Sequence, residues 1–212
     1  MVSDLHLGYH NQRKTLAKWV DMINKENPDI VLIAGDIIDF TTYPLFEQRS
    51  YEEFHRVKAP IYACLGNHEY IARTNKTAEF FNKAHINLLI DSCAKFQNLL
   101  IVGRNDRTAK NRKPLNKLIN SDETDKFIIL LDHQPYDLQQ AQNSKVDFQF
   151  SGHTHRGQVF PVNLITDIIY EKSHGEYHKG STTYYVSSGL GIWGGKFRIG
   201  SQSEYAVLTI SN

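Results

Sequence analysis

Most of the apolar runs in this chain end at a short motif of glycine, aspartate, asparagine and histidine. The runs cover residues 30–34, 61–65, 127–131 and 148–151. The motifs after them are Gly35-Asp36-Ile37-Ile38-Asp39, Gly66-Asn67-His68-Glu69, Asp132-His133 and Gly152-His153-Thr154-His155, and Asp4-Leu5-His6 stands near the first residue. Strands that are apolar on both faces are typical of a covered sheet in an α/β protein. Because the carboxyl ends of parallel strands meet at one edge of a sheet, the pattern predicts that these polar side chains gather there.

Amphipathic segments alternate with these runs over the first two-thirds of the chain. Apolar side chains recur at helical spacing between residues 13 and 26, and Pro28 ends the pattern. Further helices are predicted at residues 46–58, 76–84, 113–119 and 137–142, and further strands at 99–102, 183–187 and 205–210. The part after Gly157 is predicted to be mostly β. With no repeat or linker, the pattern predicts one α/β domain over residues 1–212, with helices outside and sheet inside.

Length and charge limit the class of the protein. The 212 residues are enough for one domain with a sizeable core. The net charge of +1 gives no overall field that would favour nucleic acid or an anionic membrane. No apolar run approaches the about 20 residues that span a bilayer. Cys64 and Cys93 lack metal-motif spacing and are expected to be buried thiols.

Only Met1 and Val2 precede Ser3 and the first motif, whereas a strand usually has about five residues. We therefore expect the first strand to be truncated and an upstream targeting or membrane segment to be missing from this sequence.

The motif side chains are those that bind divalent metals. Asp4 and His6 are two residues apart, which places both on the same face of a strand. His153 and His155 repeat that spacing. Asp36 directly follows a strand, and a carboxylate there can bridge two cations.

The remaining motif residues suit complementary roles. Asn67 offers a neutral carbonyl oxygen, and His133 follows a buried strand. His68 follows Asn67 directly, so its side chain points in a different direction, which suits a general acid. Asp39 lies one turn after Asp36 and is placed to orient a histidine.

Each motif also has a structural explanation when it is taken alone. Asp4 and His6 could form a surface pair, Asp36 or Asp39 could cap a helix, and His133 could simply end a strand. Five such motifs in one order favour a metal site instead. Oxygen and imidazole ligands without a thiolate indicate manganese, iron or zinc.

Taken together, the motifs resemble the signature of the calcineurin-like metallophosphoesterase superfamily: D-x-H, G-D-x-x-D, G-N-H-E/D, H and G-H-x-H. The resemblance implies a four-layer α-β-β-α sandwich with two mixed sheets and a dinuclear metal site at the strand ends. It implies that one metal is held by Asp4, His6, Asp36 and His155. It implies that the other is held by Asp36 as a bridge, Asn67, His133 and His153. By the same resemblance, His68 contacts the phosphate and protonates the leaving group, with Asp39 behind it.

The last third is similar to a narrower bacterial branch of this superfamily. The likeness lies in residues 152–161, 187–193 and 198–200. Members of that branch often carry an N-terminal membrane segment and are commonly assigned to phospholipid or UDP-2,3-diacylglucosamine hydrolysis. The likeness implies a lipid-linked phosphodiester or pyrophosphate substrate and a membrane-associated full-length protein. Many relatives have glycine at the position of Arg156.

We expect a hydroxide between two divalent ions to attack phosphorus, with manganese as the first choice of metal. Arg156, Arg104 and Arg107 are predicted to bind substrate phosphates, although a solvated loop and helix face is the favoured explanation of the basic segment from residue 104 to 117 as a whole. Aromatic residues in or near the motif loops could form an apolar lip for acyl chains, or anchor the core and loops instead: Tyr43, Phe46, Tyr70, Trp193 and Phe197.

Two other classes of function remain open. The fold could serve as a non-catalytic binding scaffold, although that interpretation predicts gaps in the ligand set and none is seen. A nucleotide or nucleic-acid phosphodiesterase is the other alternative, and a nuclease should show a broad basic surface that the near-neutral charge does not suggest. We expect a monomer with a small-molecule or lipid phosphoester substrate, contact with a membrane surface and no nucleic-acid partner.

Overall fold

Two β-sheets stacked face to face form the centre of the computed structural model, which describes residues 1–72, 76–119 and 125–211. The strands are β1 (Val31–Ala34), β2 (Ile61–Cys64), β3 (Ile86–Leu88), β4 (Ser92–Phe96), β5 (Leu99–Gly103), β6 (Phe127–Leu131), β7 (Phe148–Ser151), β8 (Gly175–Lys179) and β9 (Thr182–Val186). The helices are α1 (Arg13–Lys25), α2 (Tyr43–Glu47), α3 (Tyr51–Phe54), α4 (Asn67–Ile71), α5 (Lys76–Lys83), α6 (Gln139–Asn143) and α7 (Val162–Ile169). Short 3-10 turns lie at Leu115–Lys117 and His155–Gly157.

The two sheets have different strand orders. The first has the order β1-β2-β3 with parallel pairing, and Val2 adds a parallel pair with Ile33. Met1 and Ala206 exchange backbone hydrogen bonds of 2.7 and 2.9 Å, which is an antiparallel contact at the same edge. The second sheet has the order β4-β5-β6-β7-β9-β8, parallel in the middle and antiparallel at both edges. The predicted α/β fold with two mixed sheets is confirmed.

Alternation along the strands sorts the core into layers. Val31 and Ile33 of β1 pack with the helices α1, α3 and α5, whereas Leu32 and Ala34 pack against the second sheet. The outer face of the second sheet is covered by α6 and the 3-10 turn at Leu115–Lys117. The order of layers is therefore helix, sheet, sheet, helix, because each strand is apolar on both faces. Cys64 is buried between the sheets as expected, and Cys93 is half-buried.

Several element predictions need correction. The helix expected at residues 46–58 is two short helices, because Arg49 has a left-handed backbone with φ of 52° and interrupts the pattern. Residues 205–210 form no assigned strand, since Ala206 is the residue among them that pairs with Met1 by a backbone hydrogen bond. The last third is not mostly β, because α7 lies in it. The helix α4 and the strands β3, β4 and β8 were not predicted.

Within the part of the chain that the structure describes, no helix has the length and apolar character that crossing a membrane requires.

Candidate metal centre

Metal-binding side chains meet at the carboxyl ends of the strands in two groups that correspond to the predicted ligand sets. A third possible group, His6, Asp39 and His68, shares His6 with the first. The first consists of Asp4, His6 and His155, whose donor atoms lie within 4.8 Å of one another. His6 Nε2 is 3.0 Å from His155 Nε2, which is 3.4 Å from Asp4 Oδ1. Asp4 and His6 follow Val2, which pairs with Ile33 of β1, whereas His155 lies in the turn after β7. Strand pairing thus brings together residues from distant parts of the chain.

The second group consists of Asp36, His133 and His153, with Asn67 among them. His133 Nε2 is 3.1 Å from Asp36 Oδ2 and 3.2 Å from Asn67 Oδ1. His153 Nδ1 is 2.8 Å from the same Asn67 oxygen. Asp36 follows β1, Asn67 begins α4 directly after β2, and His133 follows β6. The ligands predicted for the second metal therefore converge from both sheets.

The carboxylate of Asp36 connects the two groups. Its Oδ2 lies 3.7 Å from His6 Nε2 and 3.1 Å from His133 Nε2. Its Oδ1 accepts a hydrogen bond of 2.9 Å from the backbone N–H of His68, which fixes the orientation of the side chain. A carboxylate in this position can serve cations on both sides.

The backbone is strained where it presents these ligands. Five predicted ligands have φ between 43° and 70°, in the left-handed region: Asp4, His6, Asp36, His153 and His155. Such residues cost about 1–3 kcal/mol each and cluster at functional sites. Two glycines make room for the carboxylates, since a Cβ at Gly66 would lie 2.1 Å from Asp36 Oδ1 and one at Gly152 would lie 2.1 Å from Asp4 Oδ2.

His68 and Asp39 form a pair beside the first group. His68 Nδ1 is 3.0 Å from the Asp39 carbonyl oxygen and 3.2 Å from Asp39 Oδ1. The same Asp39 Oδ1 is 3.4 Å from His6 Nδ1. Burial alone would lower the pKa of His68, but hydrogen bonding to Asp39 and the charge of Asp36 raise it above its usual value. The protonated form of His68 is therefore favoured, as a general acid requires.

Burial and mutual charge set the protonation of the ligands. Burial alone would raise the pKa of Asp4 and Asp36, yet His155 beside Asp4 and His133 beside Asp36 hold both pKa values well below their usual range. Burial lowers the pKa of His153 to about 4, and the charge of His133 acts in the same direction. Burial alone would lower the pKa of His133, yet the charge of Asp36 raises it well above its usual value. Since ionised carboxylates and neutral imidazoles are the forms that bind a cation, His133 would release a proton when a metal binds.

The donor set fits a pair of divalent cations. It offers carboxylate and amide oxygens with imidazole nitrogens, and neither Cys64 nor Cys93 belongs to either group. Such a set of donors favours manganese, iron or zinc.

Glu69, for which the sequence predicted no role, clamps the loops that carry the ligands. Its carboxylate accepts backbone hydrogen bonds from Gly66 (2.7 Å), Ile38 (2.9 Å) and Asp36 (3.1 Å). Burial and the charge of Asp36 raise the pKa of Glu69 to about 7. The fixed position of glutamate within the Gly66-Asn67-His68-Glu69 motif is the signal that could have identified it.

Asn11 and Arg198 hold the other loops in place. Asn11 Nδ2 donates to the carbonyl oxygens of Leu5 (3.1 Å) and His6 (3.0 Å). Arg198 donates to the carbonyl oxygens of Gly191 (2.6 Å) and His155 (3.2 Å). No sequence pattern marked Asn11, because its partners are all backbone oxygens brought close by the fold.

Comparison with known proteins agrees with this geometry. The family model described as calcineurin-like phosphoesterase matches residues 1–157, which include all the candidate ligands. The chain belongs to this family. An uncharacterized metallophosphoesterase of Campylobacter jejuni subsp. jejuni is 33% identical over 99% of this chain and 58% of its own length. A transmembrane protein with metallophosphoesterase domain from Danio rerio is 33% identical over 96% of this chain and 51% of its own length.

The chain thus spans about half the length of the curated relatives it matches. The solved structure of a 5'-nucleotidase precursor from Thermus thermophilus is similar with a TM-score of 0.50 at 17% identity, over 81% of this chain and 41% of that one. This similarity supports the shared calcineurin-like phosphoesterase fold.

The three arginines predicted to bind substrate occupy different environments in this phosphoesterase domain. Arg104 is 7% exposed, and its guanidinium donates to Asp132 (3.3 Å) and Gln140 (2.8 Å). Because these contacts lie inside the protein, the position of Arg104 does not support substrate binding. Arg107 is exposed, and its guanidinium lies 4.1 Å from the ring centre of Tyr136. Arg156 is exposed immediately after His155 and lines a polar cleft.

Aromatic side chains surround the metal centre, but not all those predicted to form a lip do so. The ring of Trp193 lies 6.3 Å from His68 and 6.4 Å from His155, measured between ring centres. Trp193 and Phe197 are exposed, as is Tyr43. Phe46 instead packs on the core, and Tyr70 donates to Asn105. Phe40, whose ring lies 5.3 Å from His68, was not predicted.

Proposed function

We propose that this chain is a phosphoester hydrolase with two divalent metal ions. The observation that carries the proposal is the position of Asp36 between His6 (3.7 Å) and His133 (3.1 Å). One cation would be held by Asp4, His6, Asp36 and His155, and the other by Asp36, Asn67, His133 and His153. When bound, such cations act as Lewis acids toward phosphoryl oxygens and lower the pKa of a water molecule. Manganese is the proposed native metal, with iron or zinc as alternatives.

His68 is proposed to donate a proton to the leaving oxygen. Asp39 engages Nδ1 of His68 at 3.2 Å, which leaves Nε2 for the substrate. The Asp39 carboxylate lies between His68 and His6, so it orients both rings at once. This arrangement supports a proton donor held beside one metal position.

The proposed substrate is a phosphodiester or pyrophosphate attached to an apolar group, such as a UDP-2,3-diacylglucosamine-like lipid. The exposed rings of Trp193 and Phe40 beside His68 support it, because they offer apolar surface next to the position of the phosphate. The name of the Danio rerio relative, a transmembrane protein with metallophosphoesterase domain, supports a membrane-associated full-length protein.

A nucleotide phosphodiesterase is the second candidate. The rings of Tyr136 and Tyr170 lie 4.8 Å apart, and Tyr170 lies 6.3 Å from His153. Arg107 stacks on Tyr136. Tyrosine rings and a stacked guanidinium beside a metal centre offer a surface on which a base can stack.

The test is hydrolysis by metal-stripped protein re-loaded with manganese. The substrates are bis-p-nitrophenyl phosphate, p-nitrophenyl phosphate, 2',3'-cyclic AMP and UDP-2,3-diacylglucosamine. We expect metal-dependent turnover, with the lipid pyrophosphate preferred over the cyclic nucleotide. Preference for the cyclic nucleotide would move the assignment to the second candidate.

Metal content is measured in the same samples. Absence of turnover on all four substrates, with two metals bound per chain, would overturn hydrolysis of these substrate classes and favour a binding scaffold. The matched control is Asp21→Asn, which removes a carboxylate on the exposed face of α1.

A further inference from the structure

The helix α7 exposes its apolar side and turns its polar side toward the protein. None of its residues is buried, and Ile168 is 85% exposed. Its apolar residues cover roughly 160° of the helix surface at 100° per residue: Val162, Leu164, Ile165, Ile168 and Ile169. Soluble proteins place such a stripe against the core. The stripe of α7 therefore needs a partner that the described part of the chain does not supply.

The contacts of the polar residues fix this orientation. Asn163, Thr166 and Tyr170 are half-buried on the opposite side of the helix. A Cβ at Gly157 would lie 2.2 Å from the backbone nitrogen of Asn163, so the helix packs directly against the turn that carries His155. α7 is thus held with its apolar stripe pointing away from the protein.

Neighbouring segments extend the apolar surface. Phe160 donates a backbone hydrogen bond of 2.7 Å to Ile199, and both side chains are exposed. Trp193 and Phe197 are exposed in the same stretch. More than half of the large hydrophobic side chains that are exposed among the described residues lie between Phe160 and Ile199. Exposed apolar side chains concentrated in this way mark an interaction site.

Positive charges border this surface. Arg156 and Lys196 are exposed and Lys172 is half-exposed, and none of the three forms an ion pair among the described residues. Glu171 is paired with Lys179 at 2.7 Å, and Asp167, which lies outside the apolar stripe, accepts from Ser173.

We propose that the apolar face of α7, together with Phe160 and Ile199, docks this domain on an anionic lipid surface. Apolar side chains enter the acyl boundary while flanking cations contact anionic headgroups. A second copy of the chain fits less well, because a two-fold contact would bring the same cations together. Tyr170 at the end of α7 is beside His153, so docking places the metal centre next to the lipid surface. The docking itself does not depend on hydrolysis.

The test is flotation of the manganese-loaded protein with vesicles of phosphatidylcholine and phosphatidylglycerol, compared with phosphatidylcholine alone. We expect binding to the anionic vesicles. Ile165→Gln/Ile168→Gln should weaken it about tenfold or more, since it removes two exposed apolar side chains. The matched control is Met22→Gln/Ile90→Gln, at exposed positions outside this surface, and should bind as the parent does. Lys172→Gln/Lys196→Gln should weaken binding to the anionic vesicles only.

Two further measurements separate the outcomes. Turnover of bis-p-nitrophenyl phosphate without vesicles should be the same in the α7 variant and the parent, so failure of docking is distinguishable from failure of the proposed hydrolase. Sedimentation velocity without lipid tests the second copy. A parent protein that does not float with anionic vesicles, or a dimer that the α7 substitutions dissociate, would overturn the proposal.

Discussion

The carboxylate of Asp36 and the imidazole of His133 lie 3.1 Å apart although they follow strands of different sheets. The contact depends on the stacking of the sheets, since His133 Nδ1 also lies 2.7 Å from the carbonyl oxygen of Ala34 at the end of β1. This arrangement explains how contacts within the protein bring together ligands from five motifs.

Replacement of Asp36 should therefore affect both metal positions. We expect Asp36→Asn to bind fewer than two metals and to lose more activity than the about 10–100-fold typical of changes behind the ligands. Metal analysis after reloading and turnover of bis-p-nitrophenyl phosphate measure the two effects. Asp21→Asn is the control. Full metal content in Asp36→Asn would show that Asp36 is not a shared ligand.

His68→Ala should separate catalysis from metal binding. His68 contacts Asp39, and no predicted metal role falls on it, so metal content should be unchanged while turnover falls about 10²- to 10⁴-fold. The loss should be larger for an alkyl phosphodiester than for a p-nitrophenyl ester, because a poor leaving group depends more on a proton donor. An equal loss with both leaving groups would argue against the general-acid role.

Glu69→Gln should destabilise the protein without removing a ligand. The carboxylate accepts three backbone hydrogen bonds, and a glutamine amide places an N–H₂ group against at least one of these donors. A buried donor left without its acceptor costs about 1–3 kcal/mol. The free energy of unfolding in urea measures the loss, with Glu79→Gln on the exposed side of α5 as the control. If both variants unfold at the same urea concentration, the clamp has no energetic role.

The buried strands and the metal ligands that follow them could be predicted from the sequence, because both leave a pattern of residue types. Buried strands are marked by continuous apolar runs, and the side chains after β1, β2, β6 and β7 are marked by their motifs, so both could be predicted. Asn11 could not be, because an asparagine that donates to backbone oxygens leaves no pattern in the sequence. The helix α7 was missed for a different reason. The segment has only eight residues and is rich in the β-branched side chains that favour a strand.

The substrate-binding role predicted for Arg104 from its basic segment is not supported by its contacts. Arg104 lies in a basic segment, yet its guanidinium reaches the buried Asp132, which Arg112 also contacts at 2.5 Å. We expect Arg104→Met to reduce the free energy of unfolding, by less than the about 3–5 kcal/mol of a broken buried pair because Arg112 remains. The KM for bis-p-nitrophenyl phosphate should not change, and Arg49→Met, at an exposed position, is the stability control. A raised KM with normal stability would restore the role in substrate binding.

The metal-free protein should lose stability as the solution is acidified through the range set by His153. Its pKa is lowered by burial from 6.5 to about 4. Between these values the unfolded chain binds a proton at His153 that the folded chain does not, so the free energy of unfolding falls as pH falls from 6.5 to 4. The contribution has an upper bound of about 3 kcal/mol. Urea unfolding with a chelator present, compared between the parent and His153→Gln, separates the contribution of His153 from that of other titrating groups. The parent should lose more stability across the range than the variant does, and parallel pH dependences would show that His153 is protonated normally in the folded state.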